Sequence, residues 1–362
     1  MNLKIEKIRL NELEDFVKSE IFQQFDIIPI TELRVRSYIS NPHAHPGDVV
    51  LYLGFVQKQL VAFRTLFADC INYENEQVRF AWCSGNWVHP DFRRRGFSEQ
   101  LLNEALNDWD HKLMFTNYAP NSEKLYLKSG KFHSVHQFQG FRAYLFPKTR
   151  KLLEFAGKNR FTKFLFSVVD FAISVFSSAR IWFFSEKENP DIRFEQLEFP
   201  DSECYNIITD SSLKFLFNRG RKELNWIFQF PWISGDKNST SEKYPFSSYS
   251  KSFSYYTIKV YFKNELAGFF IFSVRDGHLK TLHFNLQAGF EKEVAAFLKR
   301  FCVNRKIEVI TVYKTELAQQ LFAQKFPFLR TKKYGQKIYS SFEIRDIENF
   351  HFQDGDGDVI FT

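Results

Sequence analysis

The residues from Val88 to Ser98, reading VHPDFRRRGFS, place three consecutive arginines and a glycine between an apolar run and an amphipathic one. The preceding run, Phe80–Val88, has the aromatic and β-branched composition of a strand. After the loop, Leu101, Leu102 and Leu106 repeat at helical spacing. The sequence therefore predicts a strand, a loop and a helix in that order. Free N–H groups and the dipole at a helix N-terminus attract anions, and a glycine lets the backbone approach phosphate oxygens closely.

The three arginines of this loop would add positive charge and fork-shaped donors for a phosphate group. A solvated basic loop ahead of an ordinary helix is the other interpretation of an arginine triplet. The strand before the loop and the helix after it favour a phosphate site, because motifs of this kind depend on that context.

The arrangement R-x-x-G-x-S after V-x-P resembles the acyl-CoA-binding motif [QR]-x-x-G-x-[GA] of the GNAT N-acetyltransferase superfamily. Arg93 takes the first place, Gly96 the invariant place, and Ser98 replaces the small apolar residue. The resemblance implies that acetyl-CoA is the cosubstrate and that its pyrophosphate lies against Arg93, Arg94, Arg95, Gly96, Phe97 and Ser98. It also implies that the strand leading into the motif holds the pantetheine and the thioester through the backbone of Asn86, Trp87 and Val88.

A second segment, NSEKLYLKSGKF, resembles the family pattern N-x-x-A-x-x-L-Y-x-x-x-G-F. Tyr126 takes the place of the tyrosine, which implies that it protonates the departing CoA thiolate, as a phenol of ordinary pKa about 10 can do. Packing of the helix onto the sheet is the alternative role. Asn121 stands two residues closer to the tyrosine than the pattern asks, and it is a candidate CoA contact.

The general base is not identified by the sequence, since the run RFAWCSGNWV contains no carboxylate. His89 adjoins the loop and is a candidate proton relay, because an imidazole titrates near neutral pH; it is also a residue that can simply flank the loop. His43 and His45 offer two metal ligands without a third, so no metal is expected.

The C-terminal run DGDGD, Asp354–Asp358, resembles the opening of a calcium loop. Val359 occupies the sixth position, where such a loop needs glycine, and an EF-hand is therefore not predicted. A turn is one interpretation of the run, and an acidic wall for a cationic amine is the other.

The residues of the first half alternate between strand and helix patterns in the order β-α-β-β-β-α-β-α-β-β. The predicted elements are Lys4–Leu10, Glu12–Gln24, Val49–Val56, Leu60–Phe67, Phe80–Val88, Ser98–Trp109, Lys112–Asn117, Ser122–Ser129, Phe132–Phe138 and Arg142–Phe146. This order matches the GNAT fold over about residues 1–147.

The second half echoes the first in the same order, which predicts an internal duplication. Ile192–Leu197 echoes the first strand, Arg221–Pro231 echoes Thr31–Pro42, a long hairpin follows, and Gln319–Phe326 echoes the Tyr126 segment. Between the strand Lys280–Phe284 and the next helix, NLQAGF lacks the acyl-CoA motif. We therefore expect an α/β fold of two GNAT-like domains with mixed sheets: 1–147 with the acyl-CoA site, a helical linker 148–190, and a degenerate domain 191–362.

The composition of the chain does not identify its binding partner. The 362 residues carry a formal net charge of +7, but the basic residues form no stripe and no nucleic-acid-binding module is visible.

Four separated cysteines and the absence of an N-terminal apolar run predict a cytoplasmic protein. Phe161–Phe184 is apolar but interrupted by charges, so it is expected to be an interdomain helix, or an interfacial helix with weak membrane association, rather than a transmembrane span.

The expected function is transfer of an acetyl group from acetyl-CoA to a primary amine of a small molecule or peptide, by direct attack in a ternary complex. A non-catalytic acyl-CoA-binding or scaffold protein of the same fold is one alternative. A Fem-like aminoacyltransferase, which also pairs two GNAT-like domains, is the other. The acceptor and the oligomeric state are not indicated by the sequence.

Overall fold

The computed structural model describes residues 2–74, 76–117, 120–146, 189–236, 242–323 and 326–358, with a few helical positions between 168 and 179. Two compact units are built from interleaved chain segments. Unit 1 comprises Met1–Gln137, Thr209–Lys251 and Gln336–Thr362, and unit 2 comprises Phe138–Ile208 and Ser252–Gly335. Most of the predicted linker 148–190 and the final residues 359–362 lie outside the described residues.

The described elements alternate between strands and helices, which confirms the predicted α/β class. The strands are β1 Lys4–Arg9, β2 Val49–Val56, β3 Gln59–Tyr73, β4 Glu76–Val88, β5 Leu113–Thr116, β6 His133–Tyr144, β7 Ile192–Leu197, β8 Phe253–Phe262, β9 Glu265–Arg275, β10 His278–Leu286, β11 Val309–Val312 and β12 Arg330–Ser340. The helices are α1 Leu13–Lys18, α2 Glu20–Gln23, α3 Glu32–Ile39, α4 Phe97–Asp108, α5 Pro120–Lys128, α6 Ser202–Thr209, α7 Arg221–Gln229, α8 Glu291–Asn304 and α9 Thr315–Phe322.

The sheet of unit 1 is antiparallel from β1 to β4, and β5 then runs parallel to β4. The last residues of β12 complete it by pairing antiparallel with β5. Only two pairs, Ala81 with Leu113 and Trp82 with Met114, join β4 to β5 in the described sheet. Beyond Trp82, the rest of β4 therefore diverges from β5, and β5 does not pair with this edge of its backbone.

A bulge in β4 decides which side chains face each side of the sheet. Thr65 of β3 lies opposite Gly85, while the next residue, Leu66, lies opposite Cys83, so Ser84 is an extra residue in β4. An extra residue shifts the alternation of side chains between the two faces. As a result, Asn86 points toward α4, where it accepts a hydrogen bond from Ser98, whereas Ser84 contacts Arg34 of α3.

The helix-side face of unit 1 forms a continuous core with α4 and α5. On α4, Leu101, Leu102, Ala105 and Leu106 are buried at helical spacing against the sheet. Burial of a leucine stabilises the fold by about 1.5–3 kcal/mol, so this stripe fixes the position of the loop before α4. The opposite face contacts α3 and described residues of 209–236 and 242–251.

Unit 2 repeats the element order of the first half. Its sheet is antiparallel from β7 to β10, β11 is parallel to β10, and the end of β6 pairs antiparallel with β11. Helices α8 and α9 contribute Val294, Leu298, Leu317 and Leu321 to a core of its own. Thus a β-α-β-β-β-α-β-α-β order occurs twice along the chain.

Three predicted elements, one helix and two strands, were wrong in detail. The helix expected over 12–24 is broken at Ser19, whose backbone is extended (ψ 153°) and whose hydroxyl accepts the N–H of Phe22 to begin α2. The two strands expected over 132–146 are one strand, β6. In the described part of the chain, no helix has the length and apolarity needed to cross a membrane.

Candidate active site

The loop between β4 and α4 takes a shape that suits an anion. A short 3₁₀ turn, Pro90–Phe92, follows β4, and the chain then passes through left-handed conformations at Arg94 (φ 62°) and Gly96 (φ 78°) before α4 begins. The left-handed region favours glycine, which explains this residue at position 96. A Cβ placed on Gly96 would meet no atom within 4 Å, so open space lies in front of the helix N-terminus.

That space belongs to a cleft of about 390 Å³. Of the residues predicted to bind CoA, the cleft is lined by Val88, Arg93, Arg94, Gly96, Phe97 and Ser98. Lys128, at the end of α5, lines the opposite side and adds a cation that the sequence analysis did not single out. The first N–H groups of a helix have no intrahelical acceptor. Backbone donors and three basic side chains therefore converge on one cleft, whose lining also includes one acidic residue, Glu99.

The side chains of three predicted residues do not line this cleft in the described structure. Arg95 does not line the cleft; its guanidinium donates to the carbonyl of Asp91 (3.1 Å) and lies over the ring of Phe92. The side chain of Trp87 stacks on Phe63 on the opposite face of the sheet, so only its backbone can serve the predicted role. The backbone of Asn121 lies in the first turn of α5, and its side chain lies outside the described residues.

A buried polar cluster lies beside the cleft, between β3, β4, α4 and α5. Arg64 of β3 is fully buried and donates to the hydroxyl of Tyr126 (2.7 Å) and to the amide oxygen of Asn86 (3.3 Å). The thiol of Cys83 interacts with both Arg64 and Tyr126. Arg64 was missed by the sequence analysis, although a single charged residue within the apolar run LVAFRTLFA signals a buried charge with a specific partner.

The contacts of Arg64 are unusual for a buried guanidinium. Its described partners are a phenol, an amide, a thiol and the carbonyl of Ser98, and none of them is a carboxylate. Burial raises the pKa of Tyr126, partly offset by the positive charge of Arg64, so the phenol stays protonated. Burial likewise raises the pKa of the Cys83 thiol, which does not suit a nucleophile. The cluster thus presents a protonated phenol beside an uncompensated cation.

His89 directly follows β4, at the edge of this site. Its Nδ1 accepts the N–H of Asp91 (3.3 Å) and thereby caps the 3₁₀ turn. This contact supports the loop-flanking interpretation. A proton relay through His89 would have to use Nε2, because Nδ1 already accepts the N–H of Asp91.

On the opposite face of the same sheet, a buried ion pair joins two distant segments. Both carboxylate oxygens of Asp69 accept from Arg219, at 3.1 and 2.8 Å, and the indole of Trp82 also donates to Asp69 at 2.7 Å. Each of the two ion-paired side chains is 1% exposed. Burial raises the pKa of Asp69, but Arg219 outweighs it and the net shift is downward.

His43 belongs to this buried network, whereas His45 does not. The Nε2 atom of His43 lies 3.0 Å from Glu223, 3.7 Å from the sulfur of Cys70 and 4.0 Å from Asp69. Burial lowers the pKa of His43, but its hydrogen bonds to Cys70 and Glu223 and the nearby charge of Asp69 raise it to about 10. A ligating set of His, Asp and Cys exists here, yet donors already occupy both Asp69 oxygens, so the arrangement is that of an ion-pair network.

The C-terminal DGDGD run folds as a turn with Asp354 and Asp356 buried, so neither residue forms an exposed acidic wall. The carbonyl of Gly357 accepts a hydrogen bond from Thr116 at the end of β5 (2.8 Å). One carboxylate oxygen of Asp356 accepts the N–H of Gln353, while the other has no hydrogen-bond partner among the described residues. Burial raises the pKa of Asp356 to about 7, despite the opposing effect of Arg219.

The raised pKa of Asp356 predicts a pH-dependent stability. An unfolded aspartate titrates near about 3.9, so the protonated carboxyl favours the fold most at low pH and that advantage is lost as pH rises toward 7. We expect Asp356→Asn, which stays neutral, to gain on the order of 4 kcal/mol in unfolding free energy relative to the wild type between pH 4 and pH 8. Urea unfolding at several pH values measures this. Exposed Asp110→Asn is the control, and parallel pH profiles for Asp356→Asn and the wild type would contradict the prediction.

In unit 2, the loop between β10 and α8 corresponds to the loop between β4 and α4 in unit 1, but its residues differ. Gly289 (φ 99°) precedes α8, but its N–H is taken by the carboxylate of Glu291 (3.0 Å), and Glu293 adds a second acid to the first turn. Arginine is absent from the loop between β10 and α8. The helix N-terminus here is thus already provided with negative charge by its own chain.

Comparison with known proteins gives a fold and no close relative. No family model matches the chain, and no curated protein is similar to it. A GCN5-related N-acetyltransferase from Anabaena variabilis matches 94% of this chain and 72% of its own length, with a TM-score of 0.50 and 10% identity. A probable N-acyltransferase of unknown function from Enterococcus faecalis matches 96% of this chain and 74% of its own, with a TM-score of 0.51 and 9% identity. The chain therefore has the fold of the GCN5-related N-acetyltransferases.

Proposed function

We propose that this protein transfers an acetyl group from acetyl-CoA to a primary amine in a ternary complex. The observation that carries the proposal is the cleft before α4, where left-handed Gly96, the helix N-terminus and three basic side chains meet beside the buried Arg64–Tyr126 pair. The four cysteines are free thiols, which suits a reducing compartment, and a cytoplasmic location is part of the proposal.

Binding of the donor follows from the charges of the cleft. The pyrophosphate lies at the N-terminus of α4, where the backbone N–H groups of Gly96, Phe97 and Ser98 donate to its oxygens and Arg93, Arg94 and Lys128 balance its charge. The pantetheine then runs along the edge of β4 that diverges from β5. Backbone groups from Asn86 to Val88 hold the pantetheine and the thioester there. This path brings the sulfur toward Tyr126.

The chemical step uses the phenol and its cationic neighbour. The amine attacks the thioester carbon, the C–S bond breaks, and Tyr126 donates its proton to the departing thiolate. Arg64 stabilises the phenolate while it lasts, because the guanidinium has no carboxylate among its described partners. The phenolate then takes a proton from the newly formed ammonium group. In this scheme, Tyr126 returns to its starting state without a separate general base.

In this proposal, unit 2 contributes no residue to the acetyl-CoA site. Glu291 occupies the anion position before α8, and basic residues are missing from its loop, so unit 2 is a degenerate domain. The alternative of an acyl-CoA-binding protein without turnover shares the same donor site. The release of CoA therefore decides between the two.

Two measurements on the wild-type protein test the proposal. Isothermal titration calorimetry with acetyl-CoA should show saturable binding, and a thiol-reactive dye should show CoA release that depends on an added amine. Binding without release for any amine in a panel would identify a binding protein. Absence of acetyl-CoA binding would overturn the proposal.

Removal of the Tyr126 hydroxyl should slow turnover. We expect Tyr126→Phe to lower kcat by about 10- to 100-fold while the Kd for acetyl-CoA stays unchanged, since the hydroxyl acts on the leaving thiolate. The ring can still stack on Phe115, 4.0 Å away between centroids. Tyr339→Phe is the matched control, because Tyr339 stacks on the same ring and its hydroxyl contacts Glu123 instead. Equal kcat values for both variants would remove Tyr126 from the mechanism.

A further inference from the structure

Five buried side chains on the face of the sheet opposite α4 carry polar atoms without a hydrogen-bond partner in the described structure. We call them the acceptor-face cluster: Arg34, Tyr38, Thr65, Trp232 and Tyr244. Their exposed fractions lie between 0 and 9%. The unpartnered atoms are Nε of Arg34, Nε1 of Trp232 and the three hydroxyl oxygens.

Direct contacts connect the cluster to β4. The guanidinium carbon of Arg34 lies 3.9 Å from the ring centre of Trp232 and 5.4 Å from that of Tyr244. The rings of Tyr38 and Trp232 are 5.7 Å apart. One guanidinium nitrogen of Arg34 donates to the hydroxyl of Ser84 at 2.8 Å. Because Ser84 is the bulge residue, the cluster meets β4 where that strand has left β5.

A glycine at this point of β4 allows the cluster to approach the backbone closely. A Cβ on Gly85 would lie 2.7 Å from the hydroxyl of Thr65 and 3.1 Å from the ring of Phe246. Any other residue would push into the cluster. The absence of a side chain at position 85 thus leaves the cluster and the β4 backbone in close contact.

The unpartnered atoms define the chemistry of a ligand. The Nε–H of arginine and the Nε1–H of tryptophan can only donate hydrogen bonds. Burial raises the pKa of Tyr244 to about 12, so its hydroxyl also remains a donor. A buried polar group without a partner destabilises a fold by about 1–3 kcal/mol, so a ligand that brings acceptors to these donors would recover that free energy.

The positive charge of Arg34 further restricts the class of ligand that the cluster would bind. Arg34 forms no salt bridge with any carboxylate in the described residues, and its neighbours are aromatic rings and a serine hydroxyl. A buried guanidinium without a counter-charge favours an anion, and its planar donors match a carboxylate.

We infer that the acceptor-face cluster binds the carboxylate of the acceptor and that the acceptor amine is therefore an amino acid. This inference rests on the proposed acetyl transfer. Ser84 precedes Asn86 by two residues, about 7 Å along a strand, and the donor thioester is assigned to the backbone from Asn86 onward. An α-amino group, two bonds from the carboxylate carbon, can reach the thioester from there. The proposed acceptor thus carries a carboxylate beside its amine, unlike the purely cationic amine that an acidic surface would have suited.

The substrate test compares each amino acid with its own amide. A panel of proteinogenic L-amino acids and the corresponding L-amino acid amides is offered with acetyl-CoA, and CoA release is measured. The amides have the same shape without the negative charge, and their amines are less basic, so they carry more of the free amine at neutral pH. We expect kcat/KM for at least one amino acid to exceed that of its amide by about 10- to 100-fold.

The variant test removes the charge of the cluster. Arg34→Gln should raise the KM for the preferred amino acid by about 10- to 100-fold and leave the Kd for acetyl-CoA unchanged. Trp232→Phe keeps an aromatic ring and removes one donor, so a smaller rise is expected. Arg36→Gln is the matched control, since Arg36 lies on the same helix, exposed and paired with Glu32.

Binding without the donor separates this inference from the proposed function. Calorimetry with the same amino acids in the absence of acetyl-CoA should show binding that Arg34→Gln weakens and Arg36→Gln does not. That result would support the carboxylate site even if acetyl-CoA failed to bind. Amides that bind and react as well as the acids, or amino acids that neither bind nor react, would overturn the inference while leaving acetyl transfer to other amines open.

Discussion

Gly96→Glu should weaken acetyl-CoA binding by about 100-fold or more. A left-handed residue with a side chain costs roughly 1–2 kcal/mol, and the new carboxylate would extend into the space before α4. There it would oppose a pyrophosphate, and two like charges about 4 Å apart at a protein surface repel by up to about 4 kcal/mol. Titration calorimetry of the purified variant measures the change in Kd.

The chain offers a matched control for this substitution. Gly289 also precedes a helix and has a positive φ, and a Cβ placed on it would meet no atom within 4 Å. Gly289→Glu should therefore carry similar backbone strain and leave acetyl-CoA binding intact. If Gly96→Glu bound acetyl-CoA as tightly as Gly289→Glu, the donor site would have to lie elsewhere.

Arg219→Met should lower the free energy of unfolding of unit 1 by about 3–5 kcal/mol, because it leaves the carboxylate of Asp69 buried without its cation. Most domains have only about 5–15 kcal/mol in total, so the loss is large. Urea unfolding followed by tryptophan fluorescence reports on the change, since Trp82 donates directly to Asp69.

A second substitution distinguishes the ion pair from general damage to packing. Adding Asp69→Asn to Arg219→Met removes the unpaired charge and should recover part of the lost stability. Arg36→Met breaks an exposed ion pair in the same unit and should change stability by less than about 1 kcal/mol. Equal losses in the single and double variants would show that the charge of Asp69 is not the cause.

The donor site could be predicted from the sequence because its parts are contiguous. Strand, basic loop and helix follow one another from Phe80 to Asp108, and Gly96 has the left-handed conformation that such a turn requires. Strand limits were also predictable where apolar runs end at polar turns, as in β2 and β7. In these segments, the properties of neighbouring residues were sufficient to predict the structure.

Other parts of the site could not be predicted, because they depend on contacts between distant segments. Arg34 and Trp232 are far apart in sequence, and no periodic pattern links them. The bulge at Ser84 was equally hidden, since strand propensity does not report an extra residue. Arg64 is intermediate: the isolated charge was visible in the sequence, whereas its partner Tyr126 emerged only from the structure.

The interleaved segments of unit 1 have a consequence for biosynthesis. Asp69 pairs with a residue 150 positions later, and Thr116 with one 241 positions later. At about 5–20 residues per second, the ribosome needs roughly 10–50 s after Thr116 to produce the residues that complete this unit. For the first part of that interval, until the segment that contains Arg219 has been made, the nascent chain leaves Asp69 without its partner. Chaperone contacts with the emerging first half are therefore expected to last at least until Arg219 has left the ribosome.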